Sequence, residues 1–536
     1  MSTTLGFKNL IDLPEWRPCA PSPTTSIVGE CLAWDHRNNA DANPYLWHLA
    51  GTTSMEKYNT VNDEWCATAT YTAVGVTPAA GSGIIFVPSH GPAGTVGASP
   101  AAGYITLAAL PNSASVGINQ LANRGDGVGY KIRVIGKKAT TGSGLIEERT
   151  IVANTGGTTP TVYFDTPLTF TPTTSDTYEV LSGRVYILSS GTTAAGYWKA
   201  YDVATGTISG NLATTNLAAT IALDFQAVAL DEAYVPYNRD PGEGFVAGGA
   251  TYNGGQECIL ATASGATSIT GSGMPAALIA DEYKNFQVRI VKDVTTPAAV
   301  GQRARITTHT GGATGVFTVA SWPVATPSAD ASFVIENNND LLLWTNGALV
   351  TYSYKAGAWA ADANWSTAAA AGGAGQYANA PAAQGAGAIA EQCFGIVPDT
   401  AKYARHSHIW WFRGANTVIA YYLDIAGAAT GAWSAAQTYG NTLSTTFTTG
   451  TASAYDPATN QGRYLYICVN GTQRFLRFDL LNRVLEPWTY LRYAPSTAVV
   501  GGKLAMATFI DGSTKLSFLY VIQTTASTLF NIALQR

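Results

Sequence analysis

Six histidines and six cysteines are the residues of this 536-residue sequence best suited to metal or nucleophile chemistry. His406 and His408 stand two apart at the start of an apolar run, so on a strand both point to one face. Such a pair can chelate a metal, but a complete first shell needs further ligands. No Cys or Glu cluster lies nearby, and the expected reading is a solvent-facing pair beside Trp410 and Trp411. The other histidines are His36, His48, His90 and His309. Cys19, Cys31, Cys66, Cys258, Cys393 and Cys468 are widely scattered and form no CxxC pair. That excludes a zinc ribbon and points to reduced, mostly buried thiols made in a cytoplasm.

Other catalytic signatures are missing. The chain has no Gly-x-Ser-x-Gly elbow and no Walker loop. Acidic residues are few and dispersed; a carboxylate pair of the kind glycoside hydrolysis uses stays open. Arg124-Gly125-Asp126 matches a cell-adhesion tripeptide, but it falls in a Gly-rich loop and reads as a turn. The sequence therefore assigns no catalytic residue, no cofactor-binding residue and no metal ligand, and the expectation is a protein that is not an enzyme.

The bulk composition agrees. Only 12% of residues are charged, about half the usual ~25%. Gly, Ala and Thr take their place, which suits a surface that packs against neighbours. The formal net charge is −5 and no long Lys/Arg run occurs, so an avid grip on a nucleic-acid backbone is not expected. The opening "MSTTLGFKNLIDLPEW" has no secretory apolar core, and no run of apolar residues is long enough to span a membrane.

The elements that must position any site come as repeats. "SAYDPATNQGRYLYICVNGTQRFLRFD" (453–479) predicts three antiparallel strands, with Asn470-Gly471 as a type I′ hairpin turn. The unit recurs as "CLAWDHRNNADANPYLWHLAG", "RVYILSSGTTAAGYWKAYDVATGTI", "YVPYNRDPGEGFVAGGATY", "LLLWTNGALVTYSYKAGAW", "HIWWFRGANTVIAYYLDIAGAATGAW" and "LSFLYVIQTTASTLFNIAL". Seven such units, or six if some are fractions of one sheet, predict an all-β fold: a β-propeller of six or seven blades. A large β-sandwich or a β-solenoid is the alternative.

Two segments interrupt the series and copy each other. "YKIRVIGKKATTGSGLIEERTIVANTGGTTPTVYFDTPLTFTPTTSDTYEV" aligns with "FQVRIVKDVTTPAAVGQRARITTHTGGATGVFTVASWPVATPSADASFVI". Ile151 and Ile306, Gly156 and Gly311, and Tyr178 and Phe333 are all 155 positions apart. Period-two alternation predicts a small antiparallel β-domain for each, with Arg133 and Arg289 at equivalent sites on a solvated strand face. The expected division is 1–80 for an N-terminal arm and first blade, 81–182 for the first module, 183–254 for blades, 255–337 for the second module, and 338–536 for the remaining blades. Within the last part, 366–392 reads as an Ala/Gly-rich linker. The Pro-punctuated arm is expected to reach a partner or to supply a strand beside the C-terminal unit.

The aromatic-x-Asp, turn and terminal-Trp pattern resembles kelch-like propeller blades. The strand, Gly-rich loop, Arg-x-Ile and "TTSDTYEV" closure of the modules resembles small β-modules of tailed-bacteriophage virion proteins. A propeller with extra β-domains is similar to the tail nozzle, or hub, proteins of short-tailed phages. The resemblance implies a structural virion protein, a tail nozzle or head–tail component, made in the host cytoplasm and placed in the viral tail. It would form a homo-oligomeric ring, a hexamer, against other tail, adaptor or fibre proteins. DNA would pass through during ejection without specific binding, and no cofactor or membrane insertion is implied. Two alternatives follow from the same pattern: a receptor- or carbohydrate-binding decoration protein using Trp198, Trp410 and Trp411 as sugar platforms, and a propeller enzyme, an oxidase or glycosidase.

Overall fold

The computed structural model describes residues 15–24, 31–35, 45–50, 54–66, 83–87, 90–123, 127–135, 146–174, 176–188, 198–209, 226–229, 251–252, 256–257, 259–272, 280, 287–300, 302–311, 314–322, 324–336, 340–344, 352–355, 365–367, 381–382, 384–385, 387–393, 408–414, 419–424, 433–438, 447–448, 450–456, 462–487, 504–511, 514–523 and 528–534. These residues form antiparallel β-structure, with two short 3-10 turns at Pro111–Ser113 and Pro297–Ala299. Six sheets have four strands each.

The first sheet comprises Cys31–Trp34, Tyr45–Ala50, Ser54–Asn59 and Glu64–Trp65. The second comprises Gly83–Val87, Arg184–Leu188, Trp198–Asp202 and Thr207–Ile208. The third joins Gln226–Ala229, Asp340–Trp344, Tyr352–Lys355 and Trp365–Thr367; the fourth joins Ile389–Cys393, His408–Phe412, Ile419–Asp424 and Gln437–Thr438. The fifth joins Ala452–Tyr455, Tyr464–Cys468, Phe475–Asp479 and Val484–Pro487. The sixth takes Ala505–Asp511, Thr514–Ile522 and Leu529–Leu534, and its fourth strand, Arg17–Pro18, comes from the other end of the chain. Five of the seven sequence repeats contain the second and third strands of these sheets, and the one beginning at Cys31 holds the first and second strands of its sheet. The remaining one, 234–252, lies outside the described residues except for Thr251–Tyr252, which pairs with Gln256–Glu257.

The first strands of the six sheets touch one another in chain order, and the sixth touches the first, so the contacts form a closed circuit. Apolar cores lie between successive sheets. Trp47 and Tyr201 meet between the first and second, Trp410 and Phe478 between the fourth and fifth, and Tyr58 and Tyr520 between the sixth and first. Strands at the circuit's centre are crowded, and small side chains answer that crowding. They read "CLAW", "QAVA", "IAEQC", "ASAY" and "AMATFID", and Ala390 and Ala452 have no exposed surface. This corrects the linker reading of 366–392. Its ends, Ser366–Thr367 and Ile389–Gln392, belong to strands of the third and fourth sheets, and its alanines include packed ones.

The arm seals the seam between the sixth and first sheets. Beyond Arg17–Pro18, the Cys19 N–H donates to Leu529 O at 2.8 Å and the Ala20 N–H to Asp63 Oδ1 at 2.7 Å. Trp65 Nε1–H returns a bond to Ala20 O at 2.9 Å.

Turn chemistry repeats with the sheets. Asn59, Asp202 and Asp479 each end a third strand and accept backbone N–H groups two residues on, from Val61, Ala204 and Leu481. Four residues after each stands a residue with positive φ: Asp63, Gly206 and Arg483. Asp202 and Asp479, each directly after an aromatic residue, are thus turn caps. The Asn470-Gly471 hairpin departs from expectation. Only Gly471 has positive φ (76°), and the Thr472 N–H donates to Val469 O, which makes a type II turn inside a longer loop. Thr472 and Thr448 hydroxyls hold the loop carbonyls of Val469 and Asn470, stabilising that shape.

Between the first and second strands of the second sheet the chain runs through a six-stranded sheet, and at the same connection of the third sheet it runs through a closed six-stranded barrel. Gly83–Val87 pairs with Arg184–Leu188 in the second sheet, so the module proper begins at Ala93–Thr95, not at 81. The two modules share one circular strand order. The first closes its circle through the Val96–Leu107 bridge, flanked by Gly97 N–H to Thr106 O and Ala108 N–H to Thr95 O. Each carries a β-bulge at the same place, between Ile151 and Ala153 and between Ile306 and Thr308. Core volumes are traded along one strand: Val162 and Phe164 in the first module correspond to Phe317 and Val319 in the second, all buried.

Ala390→Leu adds volume where the first strands crowd. We expect it to cost about 1–3 kcal/mol of stability, read as a lower denaturant midpoint by tryptophan fluorescence. An unchanged midpoint would show that the circuit's centre is loose.

Candidate functional site

The densest group of buried ionic side chains among the described residues gathers where the first module leaves the second sheet. The neck is two strands wide. The Gly183 N–H donates to His90 O at 2.9 Å, and Arg184 Nη2–H donates to Gly91 O at 2.8 Å and approaches Asp202 at 3.4 Å. Gly91 is required there, because a Cβ would fall 1.9 Å from Val180 O. His90 Nδ1 lies 2.9 Å from the Tyr186 hydroxyl, and Tyr186 stacks on Trp198. Burial, reinforced by the cations Arg184, Arg303 and Arg133, holds His90 well below the usual imidazole range, so it is neutral at pH 7.

Beside the neck, Arg133 donates Nε–H and Nη2–H to Glu148 Oε1 at 2.9 and 2.8 Å and comes within 3.9 Å of Glu179. Strand register dictates this trio, since Arg133 is directly opposite Glu148 on one neighbour and Glu179 on the other. Burial opposes ionisation of Glu148, but the charge and hydrogen bonds of Arg133, then the charges of Arg289 and Lys131, hold its carboxyl below the usual range. Arg133 is 3% exposed and Arg289 1% exposed. The expectation of a solvated strand face for both is corrected: these faces point away from their own barrel cores yet are covered. Alternation alone marks which side a residue faces, not what lies over that side.

A second polar cluster, largely buried, lies at the arm. Glu56 accepts from the Ser22 hydroxyl at 2.9 Å and from the Thr24 hydroxyl, and lies 3.0 Å from His48 Nδ1. Serine, histidine and glutamate meet here, but hydroxyl and imidazole both bind the carboxylate. The imidazole does not stand between them as a base must in nucleophilic catalysis. The cluster ties the arm to the first sheet. Burial raises the Glu56 pKa, and the hydrogen bond and charge of His48 with the Thr24 and Ser22 hydroxyls outweigh it, leaving a net lowering.

The residues singled out by sequence fall as follows. Cys19, Cys31, Cys66, Cys393 and Cys468 are free thiols, four of them buried. Burial, with the charge of Asp63 and against a Tyr58 hydrogen bond, pushes the Cys19 thiol up to about 11, so it is no thiolate at neutral pH. Cys258, His406 and the Arg124–Asp126 tripeptide lie outside the described residues, and His408 is described only as the first residue of its strand. Trp198, Trp410 and Trp411 are at most 2% exposed. Trp410 packs on Phe478 and Trp411 on Trp433, so neighbouring indoles feed two different cores. They are not sugar platforms. The neck cluster escaped sequence reading because its members come from five separate segments; the one available signal was the Arg133–Arg289 equivalence.

Neither a protein-family model nor a curated protein sequence matches the chain. Among solved structures, a computationally designed protein, Ika8, aligns at 8% identity with a TM-score of 0.28, covering 96% of this chain and 98% of the other. The dihydro-heme d1 dehydrogenase NirN aligns at 8% identity and 0.27, covering 94% and 78%. The N-terminal domain of Nup159 aligns at 8% and 0.26, covering 96% and 93%. Likeness at these scores carries no inference about this chain.

Two outcomes follow. Because the Glu56 carboxyl is lowered on folding, its contribution is full above the ordinary carboxyl value of 4.5 and is lost as pH falls through the lower folded value. Glu56→Gln should therefore flatten the acid limb of a stability-against-pH curve below that point and cost about 1–3 kcal/mol at pH 7, measured by urea unfolding. Trp411→Ala should cost about 3–5 kcal/mol in the same assay; an exposed platform residue would leave stability unchanged.

Proposed function

We propose that the chain is a six-bladed β-propeller bearing two inserted β-barrels, and that it is a structural component of a bacteriophage virion. Its place is a tail nozzle, hub or head–tail ring through which DNA passes. The carrying observation is the pair of duplicated barrels at the same strand connection of consecutive sheets. Two copies of one lobe, hung on neighbouring sheets of a closed circuit, add lateral surface to a disc. That is what a ring subunit needs to meet identical neighbours through head-to-tail contacts.

The closed circuit supports the propeller reading. Its seam is held by the arm, so the disc does not need a partner to complete its sheets. The weakly acidic balance supports passage of DNA without adhesion, since a net charge of −5 offers phosphates no strong attraction. The tryptophans of the receptor-binding reading are spent on the core, so no observation favours that alternative over the ring.

The test is size and shape. Purified full-length protein, alone and with the tail proteins encoded beside it, should form a closed ring, a hexamer, by light scattering and cryo-electron microscopy. Antibodies to the chain should label the tail of intact particles. A strict monomer in the presence of those partners, or turnover on sugars or a stoichiometric metal, would overturn the reading.

A further inference from the structure

We infer that the two inserted barrels dock against each other through equivalent faces, an acidic one on the first and an arginine one on the second. This stands independently of the virion reading.

The geometry begins with register. On the first barrel, Ile132 and Val134 point into the core, so Arg133 between them points out, and its directly opposite neighbours Glu148 and Glu179 share that outer face. On the second barrel, Val288 and Ile290 point in and Arg289 points out, directly opposite Arg303. By the 155-position correspondence, Arg303 stands where the first barrel has Glu148, and Val334 stands where it has Glu179. One duplicated face therefore carries two carboxylates around an arginine. Its copy carries two arginines and no carboxylate at the matching positions. The copies are complementary where identical faces would repel.

Burial says that the faces are covered. An arginine pointing away from its own barrel is ordinarily exposed, yet Arg289 is 1% exposed and Glu179 2% exposed, while Glu148 and Arg303 beside them are half-buried. The electrostatics agree with a cover supplied by the other barrel. Arg289 of the second barrel acts on Glu148 of the first, and Arg303 acts on His90 at the first barrel's neck. The sheets that carry the barrels touch through their first strands, which brings both necks to one place. Charges buried this way must meet partners, because an unpaired one costs several kcal/mol.

The test is Arg303→Glu in the full-length protein. This substitution recreates on the second barrel the directly opposed Arg–Glu pair that Arg133 and Glu148 already make on the first, so the barrel itself should fold. Spin labels on noncanonical residues placed at exposed Thr159 and Thr314 report the distance between barrels. The unsubstituted protein should give one narrow distance distribution. Arg303→Glu should broaden it and shift it outward, and Arg303→Gln should do so less. Lys292→Glu, an exposed reversal elsewhere on the same barrel, should leave it narrow. A narrow distribution in Arg303→Glu, or equal broadening by Lys292→Glu, would overturn the proposal. Far-ultraviolet circular dichroism on each variant separates lost docking from lost folding, and loss of β-signal in both Arg303 variants with none in Lys292→Glu would count against a docking role.

Discussion

Crowding at the centre of the sheet circuit is the constraint on which the rest depends. Six first strands must each touch two others, and a strand with two such neighbours has little room for side chains. The chain meets that demand with alanine, which appears in five of the six strands. Outward along each sheet the gap to the next sheet widens, and Trp, Tyr and Phe fill it. Small residues inside and aromatic residues outside are thus two consequences of one wedge. Ala390, in a stretch that looks low in complexity, stands at the wedge's narrow end. A circuit also has a seam, and this one closes with residues from the start of the chain laid along its last sheet. The buried Ser22, His48 and Glu56, with the half-buried Thr24, then fix the arm to the first sheet. Ring closure is therefore as much a polar interaction as an apolar one.

The modules show what duplication keeps and what it releases. Strand order and the bulge are kept, because each affects every neighbour in a closed barrel. The exchange of Val162 and Phe164 for Phe317 and Val319 leaves total volume nearly constant, the kind of change that cores accept. Outer faces carry no such constraint. There Arg303 stands where the first barrel has Glu148.

Much of this was legible in the sequence where a signal is local. The aromatic runs marked second and third strands, and the 155-residue offset marked the duplication down to the bulge. Where the signal is relational, sequence fell short. "IAEQC" cannot announce itself as a central strand, because its alanines mean crowding only once neighbours are in place. Arg133 and Arg289 read as solvated since period two distinguishes two faces without saying what covers either. Asn470-Gly471 favours a type I′ turn as a dipeptide, but the hydroxyls of Thr448 and Thr472 select another turn, and one of them is 22 residues away. The Trp pair at 410 and 411 was ambiguous for the same reason: a propeller core and a sugar platform use the same residue.

Exposed chemistry and buried chemistry therefore sort differently in this fold. Among the described residues, Trp47, Trp198, Trp410 and Trp411, of the type usual in ligand recognition, are buried in the cores. Several buried ionic groups are consumed at the neck and the arm, where each has a structural partner: Arg184 with Asp202, Arg133 with Glu148, His48 with Glu56. Buried pairs contribute little net stability against apolar replacements, but they fix geometry, since leaving one partner unmatched is costly. In a chain with few charges, placing so many of them at joints between units makes the joints specific rather than merely adhesive. A disc whose lobes are held at fixed angles can present the same lateral surface in every copy, and repetition of one surface is the physical requirement for a closed assembly.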